Sequence, residues 1–90
     1  STISNNTATG GEGGGIYSID PLTITNSTIS NNRSTVSSIS GGTGGGISTR
    51  ATLTLINTTI GYNAAPRGGG GIITDNSSSV TLRNTIIANN

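Results

Sequence analysis

One unit recurs along this chain, and that recurrence constrains the fold more than any local motif does. Leu22-Thr-Ile-Thr-Asn-Ser-Thr-Ile-Ser-Asn-Asn32 returns as Leu53-Thr-Leu-Ile-Asn-Thr-Thr-Ile-Gly-Tyr-Asn63. It returns again as Val80-Thr-Leu-Arg-Asn-Thr-Ile-Ile-Ala-Asn-Asn90, and Ser1-Thr-Ile-Ser-Asn-Asn6 is the tail of the same unit. Between copies lies a glycine run closed by isoleucine: Gly13-Gly-Gly-Ile16, Gly44-Gly-Gly-Ile47 and Gly69-Gly-Gly-Ile72. Ser1, Ser27, Thr58 and Thr85 share one phase, at spacings of 26, 31 and 27 residues. A period of roughly 20 to 50 residues belongs to solenoids, propellers or arrays, and this one is too short for a propeller blade and too poor in helix formers for helical repeats.

Within the unit, Leu22, Ile24 and Asn26 alternate with Thr23 and Thr25. Period two with β-branched residues predicts a strand, and the Gly and Asn/Ser/Thr clusters between strands predict turns. The expected fold is therefore all-β: a single-stranded parallel β-helix, or β-solenoid, of about three coils of 26–31 residues. Residues 1–90 form one such segment, with coils starting near residues 1, 27, 58 and 85.

Stacking the copies gives columns. Leu22, Leu53 and Val80 form one; Ile24, Leu55 and Leu82 the next; Ile3, Ile29, Ile60 and Ile87 another; Ile16, Ile47 and Ile72 close the glycine runs. All are expected inside. Asn26, Asn57 and Asn84 form one asparagine column and Asn6, Asn32, Asn63 and Asn90 a second. Both are expected to serve the coil, since stacked amides bond along the axis and Asn tolerates the left-handed corner conformation. Asn26 and Asn57 are expected to point inward, leaving no room for a glycan at their N-x-Ser/Thr sequons, which also occur at Asn5, Asn32 and Asn76. Gly15, Gly46 and Gly71 sit in runs read as tight turns with positive φ. The segment between Asn and the glycine run varies most in length, and the longest version carries Val36 and Ile39, which are expected to fold over the neighbouring coil.

Composition narrows the function. Leu, Ile and Val supply 19 of 90 residues and the net charge is +1, which fits a thin apolar column better than disorder. There is no Cys, so disulfides do not hold the fold. The four Arg fall in four different segments and make no nucleic-acid footprint. No apolar run has membrane-spanning length, and no leader pattern opens the sequence. Asn90 shares the phase of Asn6, as in a window cut from a longer solenoid.

No catalytic residue, metal ligand or cofactor site is expected. Without His or Cys the common bases, nucleophiles and zinc ligands are missing. Glu12, Asp20 and Asp75 stand at different repeat phases, whereas paired-carboxylate chemistry needs two such groups a few ångströms apart. The glycine runs lack the aspartate of calcium-binding nonapeptide repeats, carrying Gly15 or Gly46 there.

Ile3-Ser-Asn-Asn6 and Ile29-Ser-Asn-Asn32, each followed by Gly-Gly-Gly-Ile, resemble the paired FxxN and GGAI motifs of polymorphic outer-membrane-protein repeats. More broadly they are similar to right-handed parallel β-helix repeats of bacterial surface and secreted proteins. Ile replaces Phe, Gly replaces Ala, and Ile60-Gly-Tyr-Asn63 keeps only the ends of the first motif. The resemblance implies a right-handed coil, an extracellular or cell-surface location and a structural or adhesive role without catalysis. Its expected partners are further coils, within one chain or stacked end to end, and surface glycans. Two alternatives are a polysaccharide- or ice-binding module and a non-catalytic part of a carbohydrate-active enzyme. Against ice binding, Thr23/Thr25 is followed by Thr54/Ile56 and Thr81/Arg83, which break a flat hydroxyl lattice.

Overall fold

The computed structural model describes residues 1–35, 43–75 and 78–90, and the described residues are all-β without a helix. Each strand pairs, parallel and in register, with its counterpart one repeat away. A four-stranded sheet joins β1 (Thr2–Ser4), β5 (Thr28–Ser30), β9 (Thr59–Gly61) and β12 (Ile86–Ala88) in that order. A three-stranded sheet joins β3 (Ile16–Ser18), β7 (Ile47–Thr49) and β10 (Ile72–Thr74). Another joins β4 (Leu22–Thr25), β8 (Leu53–Ile56) and β11 (Val80–Arg83). Short β2 (Thr7–Ala8) and β6 (Arg33–Ser34) form a fourth, extended by a bridge from Arg33 to Ala64.

The expected aliphatic columns are the register partners. Ile3 lies beside Ile29, Ile29 beside Ile60, and Ile60 beside Ile87. Leu22–Leu53–Val80, Ile24–Leu55–Leu82 and Ile16–Ile47–Ile72 pair likewise. Ile24, Ile29, Ile47, Leu53, Leu55 and Ile60 form the buried core, with Ile3, Ile16, Leu22 and Ile72 packed against it. Pro21 precedes β4, where its missing N–H removes no ladder bond inside the strand.

Ile87 departs from the expected interior position: it is 42% exposed, and Val80 and Leu82 are exposed too. The reason is geometric. Each lies on the last strand of its sheet, so one side of its column has no covering neighbour.

Asn26, Asn57 and Asn84 also depart from expectation: all three are exposed, with φ of 51°, 50° and 47°. A left-handed residue ends the strand and breaks its alternation, so the Asn side chain swings outward. The following residue turns in instead. Thr58 is buried, and its hydroxyl donates to Ile56 O at 3.0 Å. Ser27 and Thr85 make the same bond to Thr25 O and Arg83 O, at 2.8 and 2.9 Å. The sequons at Asn26 and Asn57 are thus solvent-facing, while the one at Asn32 is buried. Val36, Ile39 and the sequon Asn76 lie outside the described residues.

The column assignment predicts unequal stability effects on neighbouring strands. Ile29→Ala should lose about 2–5 kcal/mol, because a fully buried aliphatic leaves a cavity. Thr23→Ala, on the outward side of β4, should lose less than about 1 kcal/mol. Urea unfolding of both variants checks this, and equal losses would contradict the inside–outside assignment.

Candidate functional site: an asparagine ladder and a charged cavity

The second asparagine column forms a buried ladder, whereas the first, at the surface, keeps the left-handed corner and an amide bond from Asn57 Nδ2 to Asn26 Oδ1 at 3.1 Å. Asn32 and Asn63 are 0% and 2% exposed. Each Oδ1 accepts two bonds from the repeat before it. Asn32 donates to Asn63 Oδ1 through its backbone N–H at 2.9 Å and through Nδ2 at 3.1 Å. Asn6 bonds Asn32 Oδ1 in the same way, both at 3.0 Å. Asn63 bonds Asn90 Oδ1 with both bonds at 2.9 Å. The remaining Nδ2 hydrogen returns to a strand carbonyl: Asn32 to Ile3 O at 2.9 Å, Asn63 to Ile29 O and Asn90 to Ile60 O at 3.0 Å. Buried backbone polar groups need partners, and at this corner the amides supply what a strand ladder supplies elsewhere.

The left-handed corner itself falls one residue earlier, at Asn5, Asn31, Tyr62 and Asn89, with φ from 55° to 60°. The Asn-Asn pair therefore divides its labour: the first makes the turn, the second makes the ladder. Tyr62 occupies the turn position in the third copy, so only the ladder residue is constant across all four.

Gly15, Gly46 and Gly71 are not the positive-φ glycines; those are Gly13, Gly44 and Gly69, with Gly68 beside them. The former are glycine because the ladder lies against them. A Cβ on Gly46 would meet Gly71 O at 2.5 Å and Asn63 Cγ at 3.1 Å; one on Gly15 would meet Gly46 O at 2.8 Å and Asn32 Nδ2 at 3.0 Å. At Gly71 it would meet Asn90 Cγ at 2.9 Å. The runs also stack backbone to backbone, Gly14 N–H donating to Gly44 O and Gly46 N–H to Gly70 O, both at 2.9 Å.

The charged residues are less scattered than their sequence positions suggest. Glu12 and Asp75, from different repeat phases, line one cavity of about 240 Å³ together with Arg50, Thr43, Ser48 and Thr74. Glu12 Oε1 lies 3.7 Å from Arg50 Nη2, and Ser48 Oγ donates to Glu12 Oε2 at 3.2 Å. Register explains the convergence. Arg50 N–H bonds Ser18 O just past β7, and Asp75 N–H bonds Thr49 O just past β10. The two side chains thus occupy adjacent rungs, while the glycine run brings Glu12 over Ser48. Spacing along one sequence hid this, because the contact crosses repeats. Among the described residues, no group of three or more His, Cys, Asp or Glu side chains could hold a metal ion.

Removing one ladder amide should cost more than removing a surface one. Asn63→Ala strands the Asn32 donors and Ile29 O, and should lose at least about 3 kcal/mol at about 1–3 kcal/mol per buried unpaired group. Asn57→Gly, which keeps the left-handed turn, should be close to neutral. Gly46→Ala should lose about 1–3 kcal/mol by overpacking although its φ is ordinary. Thermal or urea unfolding of the three variants decides; a neutral Asn63→Ala would contradict the ladder. No family model, curated protein or solved structure matches the chain, so its own geometry carries the functional reading.

Proposed function

We propose that this chain is a segment of a right-handed parallel β-solenoid that serves an extracellular structural or adhesive role, with further coils of the same kind as its partners. In-register parallel pairing between successive repeats supports the coil. Strand–crossover–strand connections between parallel neighbours are right-handed in about 98% of cases, which supports the hand.

The observation that carries the reading is the polarity of the asparagine ladder. Oδ1 of Asn32, Asn63 and Asn90 accepts from the repeat before, and Nδ2 of Asn6, Asn32 and Asn63 donates to the repeat after. Beyond Asn90, an added repeat would take over the Nδ2 hydrogen that bonds Ala88 O at 3.0 Å and continue the same pattern. The exposed Val80, Leu82 and Ile87 offer that repeat an apolar column to cover, and the outer strands offer it an unpaired edge. Whether the next repeat belongs to the same chain or to another copy does not change the contact. No reaction is assigned to the segment.

Immunogold labelling of intact, unpermeabilised source cells tests the role. The expected result is label on elongated material outside the cell. Label that appears only after permeabilisation would contradict it.

A further inference from the structure

The outer face of the β3–β7–β10 sheet carries a feature that stacking does not use. Tyr17, Ser48 and Ile73 are register partners on its outward side. Ser48 is buried there, beneath Glu12, whereas Tyr17 is 46% exposed. Tyr17, Glu12, Arg50 and Gly11 line a cavity of about 370 Å³, and it shares Glu12 and Arg50 with the cavity of about 240 Å³ described above. Together they form one recess that holds charged groups and an aromatic wall.

We infer that this recess binds a neutral sugar unit of a glycan, its ring laid on Tyr17 and its hydroxyls paired to Arg50 and Glu12. The charge balance selects against an anionic ligand. Arg50 faces Glu12 at 3.7 Å and has Asp75 on the adjacent rung, so no excess positive charge is left to draw an anion. The charged and hydroxyl groups in the lining select against a purely apolar ligand, since burying them without partners is unfavourable. A sugar answers both. Its C–H face matches the apolar body of Tyr17, and its vicinal hydroxyls match the fork of a guanidinium and the two oxygens of a carboxylate.

The site is also prepared. Glu12 is held by the hydroxyl of buried Ser48 and is itself only 21% exposed, so little side-chain freedom remains to be lost on binding. A single aromatic wall makes no cage for a quaternary ammonium. The volume suits one or two sugar rings, at the lower end of small-molecule sites of roughly 300–1,000 Å³. The inference does not depend on the solenoid's being extended by further coils, since the residues it uses all lie within the described repeats.

The test is a titration of the ¹⁵N-labelled chain with glucose, galactose, mannose, cellobiose, maltose and lactose, followed by amide shifts. At least one of these sugars should shift Glu12, Tyr17, Ser48 and Arg50. Tyr17→Thr and Arg50→Gln should each weaken that binding at least tenfold. Both keep a strand-compatible or shape-matched residue, and the same spectra report whether the variants are folded. Tyr62→Asn removes the other tyrosine and installs the residue used at this corner in the other copies, so its binding should be unchanged. Three results would each overturn the inference: no shift with any of the six sugars, shifts that survive both site variants, or tighter binding of galacturonate or choline than of every neutral sugar.

Discussion

A side-chain amide placed on a buried corner has to satisfy one acceptor oxygen and two donor hydrogens without water. Asn32 and Asn63 do so by bonding to each other, to the same residue one repeat away, and to a strand carbonyl. Everything else near the corner follows from that requirement. The neighbouring glycine run approaches so closely that a Cβ would strike the amide or the next glycine carbonyl. The residue before the amide must take the left-handed conformation to aim it inward. Bonds in such chains polarise one another, and a break strands several groups at once. Asparagine, its left-handed predecessor and the glycine run therefore form one device, repeated at each level.

The aliphatic columns fill the remaining interior, and here the pairing of the copies was legible, though not the exposure of Val80, Leu82 and Ile87 on the last strands. Ile3, Ile29, Ile60 and Ile87 are register partners because the repeat aligns them, and strand alternation decides which side they take. The two asparagine columns were not distinguishable in that way. Asn26 and Asn32 have the same chemistry, and period-two alternation carried through Thr25 puts Asn26 inside. The left-handed turn at Asn26 breaks that period, and a turn is not visible in an apolar–polar pattern. The glycines were legible as a run but not by position: Gly13 serves the backbone angle, whereas Gly15 serves the space beside it. Only the neighbouring repeat separates those two reasons.

The same limit applied to the charged cavity. Glu12, Arg50 and Asp75 lie in three different repeats at positions that look unrelated along the chain. Stacking brings the last two to adjacent rungs, and a glycine run brings the first across. A stack of repeats is a scaffold of this kind by construction. Its inside is fixed by the ladder and the columns, so its outward side chains and its variable segments are free to differ from copy to copy. A functional site on such a scaffold shows itself as a departure from the repeat, as Tyr17 against Ser48 and Ile73 does.

Native-state hydrogen exchange at Asn32 and Asn63 tests the ladder most directly. Their backbone N–H groups bond to side-chain oxygens, not to a strand, yet they should open only with global unfolding if the ladder organises the stack. They should match the protection of Ile29 and Ile60. Exchange of the Asn32 and Asn63 amides through local opening, while the strand amides stay protected, would contradict the account.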